Sequence, residues 1–274
     1  MLRTKGLSAI DEEAAYAAAQ CVVETHRRLA VWLHAGLTLG AIDRFVAETL
    51  DDLKCKSCFL GYRVGRVPPF PSHACLSVND CVVHGTAASH LEPMKPGDVL
   101  KIDIGVKHRG WIGDAAWTYV FGQPTPEVAR LLECAKESLR RGIEAIQLDE
   151  PLVDWARAVQ GCVEREYGFH LVRGLGGHGY GRKLHEPPYV SNMPPSYPGE
   201  WPDAYRRWEP GVLVAVEPMI AVGTAETRPN RGQWPVHTAD GSLAVHVEHD
   251  VLIRDDGPRV LTEGLEDVPM VIER

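Results

Sequence analysis

The chain has 274 residues, 45% of them hydrophobic and 24% charged, and carries a formal net charge of −8. That length and composition can bury a sizeable core, in one large domain or in two fused halves. The acidic balance, with no Lys/Arg run beyond pairs such as Arg140-Arg141, excludes a nucleic-acid-coating surface, and no apolar run approaches the eighteen or so residues of a membrane span.

In chain order, the opening MLRTKGLSAIDEEAAYAAAQ has acids where a secretory signal needs an apolar stretch, so no secretory address is expected. Ser8-x-x-Asp11 resembles a capping box, and the Ala/Val/Leu-rich run Glu12 to His34 predicts a long amphipathic helix ended by Gly36. Thr38 opens a second helix to about Lys54 with Ile42, Phe45, Val46 and Leu50 as its stripe. Residues 59–73, with Pro68, Pro69 and Pro71, read as a loop. From Ala74 the texture ACLSVNDCVVHG is strand, and after the Lys95–Asp98 turn comes the buried strand VLKIDIGV. The connector Lys107–Gly110 leads to a second strand, WIGDAAWTYVF, whose Trp111 and Trp117 are assigned to packing. Thr125–Gln147 and Pro151–Tyr167 read as helices, each with a proline near its start. The Gly/His stretch GLGGHGYGRKLHEP follows, then a Pro- and Trp-rich segment, 187–210, read as irregular surface. VLVAVEPMIAV after Gly211 is a strand, and Leu243–Ile253 is read as the last one, with His237, His246 and His249 as ordinary strand or loop histidines.

The order helix, helix, strands occurs twice, at about 11–120 and 124–253. This predicts an α+β protein of two halves that share one sheet, a single domain over 1–274, with a site at the junction.

Seven cysteines, an odd and scattered set, read as reduced thiols. Cys55-Lys56-Ser57-Cys58 has the spacing of a redox pair, or of half a four-thiolate zinc site with Cys75 and Cys81, although the gap between those two is not that of a ligand pair.

The chemistry lies in misplaced acids. Asp103, Glu217 and Glu248 fall in or at the end of apolar strands, and Asp114 opens the next strand. Carboxylates are almost never fully buried without a partner, because an unpaired buried charge protonates or finds a cation. Few Lys or Arg accompany them in these strands, Lys101 being the nearest to Asp103. His178 sits among the glycines at 174, 176, 177, 179 and 181. Four carboxylates and one imidazole suit two divalent ions of the Mn, Fe, Co or Zn type and point to metal-assisted hydrolysis.

Together, SVNDCVVHG (77–85), the Asp103/Asp114 strand pair, GGHGYGRKLHEPP (176–188), VEPM (216–219) and VEHDV (247–251) resemble the type I methionine aminopeptidases of the pita-bread metallopeptidase fold. The resemblance implies two pseudo-symmetric α+β halves sharing an antiparallel sheet with the metal site at their junction. It implies Asp103, Asp114, His178, Glu217 and Glu248 as ligands of two divalent metal ions. Asp103 would chelate one ion, Asp114 and Glu248 would bridge both, and His178 with Glu217 would hold the other. His84, His185 and Glu217 are the implied catalytic residues, the two histidines contacting the scissile peptide and its tetrahedral intermediate. Tyr62, Phe70, Cys75, His84 and Trp234 are the implied walls for the substrate's first side chain. The expected activity is removal of the initiator methionine from peptides and nascent chains by a monomeric cytoplasmic enzyme, with the ribosome a candidate partner and neither membrane nor specific nucleic acid involved.

The chain departs from the family pattern in His-Gly-Thr-Ala after Val83, in Leu184 where an aromatic residue usually precedes the second histidine, and in longer segments at 62–70 and 189–210. Two other readings use the same fold. An X-Pro peptidase of prolidase type would share the five ligands but not His-Glu-Pro-Pro or Glu-His, and a non-catalytic binding protein would have lost ligands.

Overall fold

The structure, a computed structural model, describes residues 7–229 and 232–274, so the first six residues of the opening stretch lie outside the described residues. Helix α1 (Ala9–Trp32) is capped by Ser8, whose Oγ accepts the Asp11 N–H at 3.2 Å. Helix α2 (Leu39–Asp52) is capped by Thr38. Then come short β1 (Lys56–Ser57), β2 (Cys75–Val78), β3 (Cys81–Val83), and the long pair β4 (Val99–His108) and β5 (Trp111–Phe121). In the second half, α3 (Pro126–Glu144) and α4 (Val153–Gln160) lead into a π-helical turn at Gly161–Glu166. The remaining strands are β6 (His170–Leu171), β7 (Gly176–Gly179), β8 (Glu186–Ser191), β9 (Leu213–Val216), β10 (Met219–Ala221), β11 (Val236–His237), β12 (Ala244–His246), β13 (His249–Arg254), β14 (Gly257–Val260) and β15 (Val271–Ile272).

Strand β4 is longer than the pattern indicated, because Lys107 and His108 still pair and only Arg109-Gly110 turns the chain. Both turn residues have positive φ, +50° and +84°, as a two-residue hairpin turn requires. Segment 187–210 is not all irregular: β8 lies in it, pairing with β7. Leu243–Ile253 is neither one strand nor the last, since it breaks at Val247-Glu248 and two strands follow.

Two five-stranded sheets carry the two halves, β1-β4-β5-β15 with β2 also on β4, and β14-β13-β9-β7-β8. Among the described residues all strand pairings are antiparallel except β15 on β5. The halves are sewn together at β5. The Glu248 N–H donates to the Ala116 carbonyl at 2.9 Å, and Thr118 exchanges hydrogen bonds with the His246 backbone. Helices α1 and α3 cover the strands with apolar faces such as Val22, Leu29, Leu131 and Leu139. No helix among the described residues is long and apolar enough to cross a membrane.

Helix α1 lies so close to β5 that only glycine fits at 113. A Cβ there would sit 2.5 Å from the Ala18 carbonyl carbon and 2.6 Å from the Ala19 nitrogen. Gly113→Ala is therefore expected to cost about 1–3 kcal/mol of stability, read as a lower urea midpoint at constant m-value. An unchanged midpoint would show that the helix can move off the sheet.

Candidate active site

The site is assembled at the places where strands stop or face one another. Asp103 lies mid-β4 opposite Ala116 of β5, and Asp114 lies opposite Gly105. Residues 103 and 105 share a face of the sheet, so the two aspartates are diagonal neighbours on that face, within side-chain reach. The third row comes from the other half, where the Ala116 carbonyl holds the Glu248 N–H. Glu217 follows directly after β9, and Glu248 directly precedes β13. The two glutamates thus occupy breaks in what reads as continuous apolar strand, where a side chain can turn out of the sheet.

His178 lies on β7 opposite Ala215 of β9, two residues before Glu217. The neighbouring Gly177 is needed for this approach, since a Cβ there would fall 2.1 Å from the Ala215 oxygen. His178 Nδ1 is 3.1 Å from the Gly179 carbonyl, to which it donates. The bare Nε2 therefore faces Asp114 Oδ2 and Glu217 Oε1, each at 3.8 Å. Burial, and after it the His185 ring, lowers the His178 pKa to about 4, so it is neutral.

Burial raises the pKa of all four acids, and mutual repulsion adds to it: Glu217 acts on Asp103, Asp103 on Asp114, and Asp114 on both Glu217 and Glu248. Among the described residues the only side chains at ion-pair distance from them are His178 and His246. Buried Asp103 Oδ1 and Asp114 Oδ1 have no hydrogen-bond partner. Orphaned carboxylate oxygens, repelling acids and a neutral imidazole with its lone pair inward are a donor set that fits divalent cations, which offset both burial and repulsion.

Two members of this cluster escaped the sequence reading. His246, taken as an ordinary strand histidine, is buried with Nε2 3.2 Å from Glu217 Oε2 and 3.9 Å from Glu248 Oε2. Burial lowers its pKa to about 3, and its Nε2 makes no hydrogen bond. Only the meeting of β12 with the strand breaks reveals it. Asp250 is fully buried, and its Oδ2 accepts the Asp114 backbone N–H at 2.8 Å, fixing that strand. The rule that singled out the other acids, a carboxylate in an apolar strand, also finds Asp250.

The acids floor a cavity of about 160 Å³ lined by all five proposed wall residues, Tyr62, Phe70, Cys75, His84 and Trp234, and also by Phe59, Val64, Leu184 and His185. Cys75 pairs with Asp103 across β2 and β4. Phe70 and Trp234 meet edge to face with centroids 5.2 Å apart, and the Trp234 Nε1–H donates to the Pro68 carbonyl at 2.7 Å. The long 62–70 loop is thereby closed on itself and tied to the wall, with the Phe70 N–H donating to the Tyr62 carbonyl. His84 has φ +58°, in the left-handed region that non-glycine residues adopt uncommonly. His185 Nδ1 lies 2.6 Å from the Tyr62 hydroxyl. Burial lowers both pKa values, that of His84 to about 4. By contrast, the four-thiolate zinc reading does not form: among the described residues, Cys55 is grouped with Cys21 and His108, not with Cys58, Cys75 or Cys81.

Fold and site have the make-up of a metal-dependent hydrolase. The model of metallopeptidase family M24 matches residues 12–255. A methionine aminopeptidase of Aquifex aeolicus is 37% identical over 251 residues, 90% of this chain and 93% of that protein. Methionine aminopeptidase 1 of Mycobacterium tuberculosis is 36% identical over 94% of each chain. The crystal structure of the Thermotoga maritima methionine aminopeptidase superposes with a TM-score of 0.84 at 30% identity, covering 94% of this chain and 98% of that one. An X-Pro aminopeptidase from the same organism shares the fold, with a TM-score of 0.71 at 18% identity. The chain belongs to metallopeptidase family M24, among its methionine aminopeptidases.

Proposed function

We propose that this enzyme removes the N-terminal methionine from peptides and nascent chains, using two divalent cations held by Asp103, Asp114, His178, Glu217 and Glu248. The observation that carries the reading is the set of buried carboxylates gathered from both halves with no Lys or Arg among them, facing the bare Nε2 of His178. When bound, such cations supply Lewis-acid stabilisation and a water acidic enough to attack a peptide at neutral pH.

The chain's own residues do the rest. Asp103, Asp114, Glu217 and Glu248 would hold the cations, together with the bare Nε2 of His178. Glu217 is placed to take up the proton of the attacking water and pass it to the leaving amine, since its carboxylate opens onto the cavity. His84 and His185, kept neutral by burial, offer N–H donors toward the peptide carbonyl and the oxyanion that develops from it. The Tyr62 hydroxyl holds the His185 ring through Nδ1. Phe59, Phe70, Cys75, Leu184 and Trp234 present apolar and soft-sulfur surface suited to an unbranched thioether side chain.

Chelation is expected to abolish cleavage of Met-Ala-Ser, and Mn, Fe, Co or Zn to restore it with up to two ions rebound at the acid cluster. Full activity after verified metal removal would sink the proposal. On a peptide panel, Met-Ala-Ser should be cleaved well and Leu-, Lys- and Ala-Pro peptides poorly. Equal rates on Met-, Leu- and Lys-peptides would show that Leu184 and the 62–70 loop have opened the pocket to other side chains.

A further inference from the structure

We propose that Cys21, Cys55 and His108 form a second metal site, separate from the acid cluster, that takes one zinc-type divalent cation through two thiolates and an imidazole. The two sulfurs and a His108 ring nitrogen lie within 4.8 Å of one another. Cys55 Sγ is 3.5 Å from His108 Nδ1. Tetrahedral zinc with bonds of about 2.3 Å to sulfur and about 2.0–2.1 Å to nitrogen has an S···N edge of about 3.5 Å, so this edge is already formed.

Three independent elements hold the ligands. Lys54 ends α2 with φ +56°, the Lys54 N–H donates to Asp51 and the Cys55 N–H to Leu50, so Cys55 closes a Schellman cap. The next residue enters β1, where Lys56 pairs with Lys107, and this places Cys55 across from His108. His108 is the last residue of β4 before the Arg109-Gly110 turn and pairs with Trp111. Cys21 projects from α1, the helix locked to β5 at Gly113.

The donor set differs in kind from the main site. Two sulfurs and one imidazole select thiophilic ions, whereas carboxylate-rich sites accept many divalent ones. Ligation releases the thiol protons to solvent, and two thiolates balance the charge of one divalent ion. Cys55 is buried, but Cys21 and His108 are half-exposed, which gives a cation entry and leaves a fourth position for water. His108 is five residues beyond Asp103 on one strand, roughly 17 Å away. The site neither depends on the peptidase reading nor interferes with it.

The test uses the full chain, stripped of metal, reduced with a phosphine and titrated with Co(II). A thiolate-to-cobalt charge-transfer band should grow in the near ultraviolet to a single equivalent and bleach on adding Zn(II). Oxygen and nitrogen ligands of the acid cluster give no such band, so it should persist in Asp114→Asn. It should vanish in Cys21→Ser and in Cys55→Ser, and His108→Ala should weaken cobalt binding by roughly tenfold or more. Cys21→Ser, on the half-exposed face of a helix, should keep wild-type peptidase activity and thus certify its fold. Absence of the band in the reduced wild-type chain overturns the proposal, as does a band that survives both cysteine variants and so belongs to another thiol such as Cys75.

Discussion

Asp114→Asn is expected to lower turnover of a Met-peptide by roughly 10³-fold or more, because on the proposed ligand set it removes a carboxylate charge that would hold the cations, forfeiting several kcal/mol of transition-state stabilisation. The substitution keeps shape and changes charge. Asp114 is only 3% exposed, and its backbone N–H stays bound to Asp250, so β5 has no reason to move. Metal content should fall below that of the wild type. Stability gives a second readout with the opposite sign. In the metal-free protein Asp114 has a raised pKa through burial and then through Asp103, so its ionised form opposes folding at neutral pH. That penalty grows as pH rises above the unfolded carboxylate pKa and levels off above the raised one. The metal-free variant should therefore melt no lower than the metal-free wild type at pH 7. Activity within tenfold of wild type, with metal content unchanged, would remove Asp114 from the proposed ligand set.

His84→Ala and His185→Ala are expected to lower kcat by about 10²–10³ each, the usual loss for one donor to a developing oxyanion, with KM changed far less and metal content near wild type. His178→Ala should instead lower metal content itself. The geometry separates the roles. His178 has Nδ1 committed to the Gly179 carbonyl and Nε2 turned to the acids, whereas His185 has Nδ1 committed to the Tyr62 hydroxyl. The two rings are only 4.2 Å apart between centroids, so activity alone could not tell them apart. Elemental analysis beside the kinetics does. If His185→Ala loses metal while His178→Ala retains it, the roles are the reverse of those proposed.

Much of this was legible in the chain because it depends on local rules. Capping residues Ser8, Thr38 and Thr125 start the helices they were expected to start, since a side-chain oxygen at the N-cap satisfies a backbone N–H whatever the surroundings. Acids in apolar strands stand out because burying charge is costly in any fold, and that cost pointed to Asp103, Asp114, Glu217 and Glu248 before any contact was known. What the linear pattern could not supply was which strand ends meet. In a run such as LAVHVEHDVLI nothing in the periodicity marks the break at Val247-Glu248 that turns Glu248 into the cavity. His246 looks like any strand histidine until β12 is laid beside Glu217, and Cys55 looks like half of a CxxC pair until β1 sets it opposite His108. Asp114 and Asp250 meet across 136 residues. Hydrophobic pattern and capping chemistry determined the elements and the residues that had to find partners. Strand register and the packing of the two halves, which rest on contacts far apart in sequence, decided what those partners are.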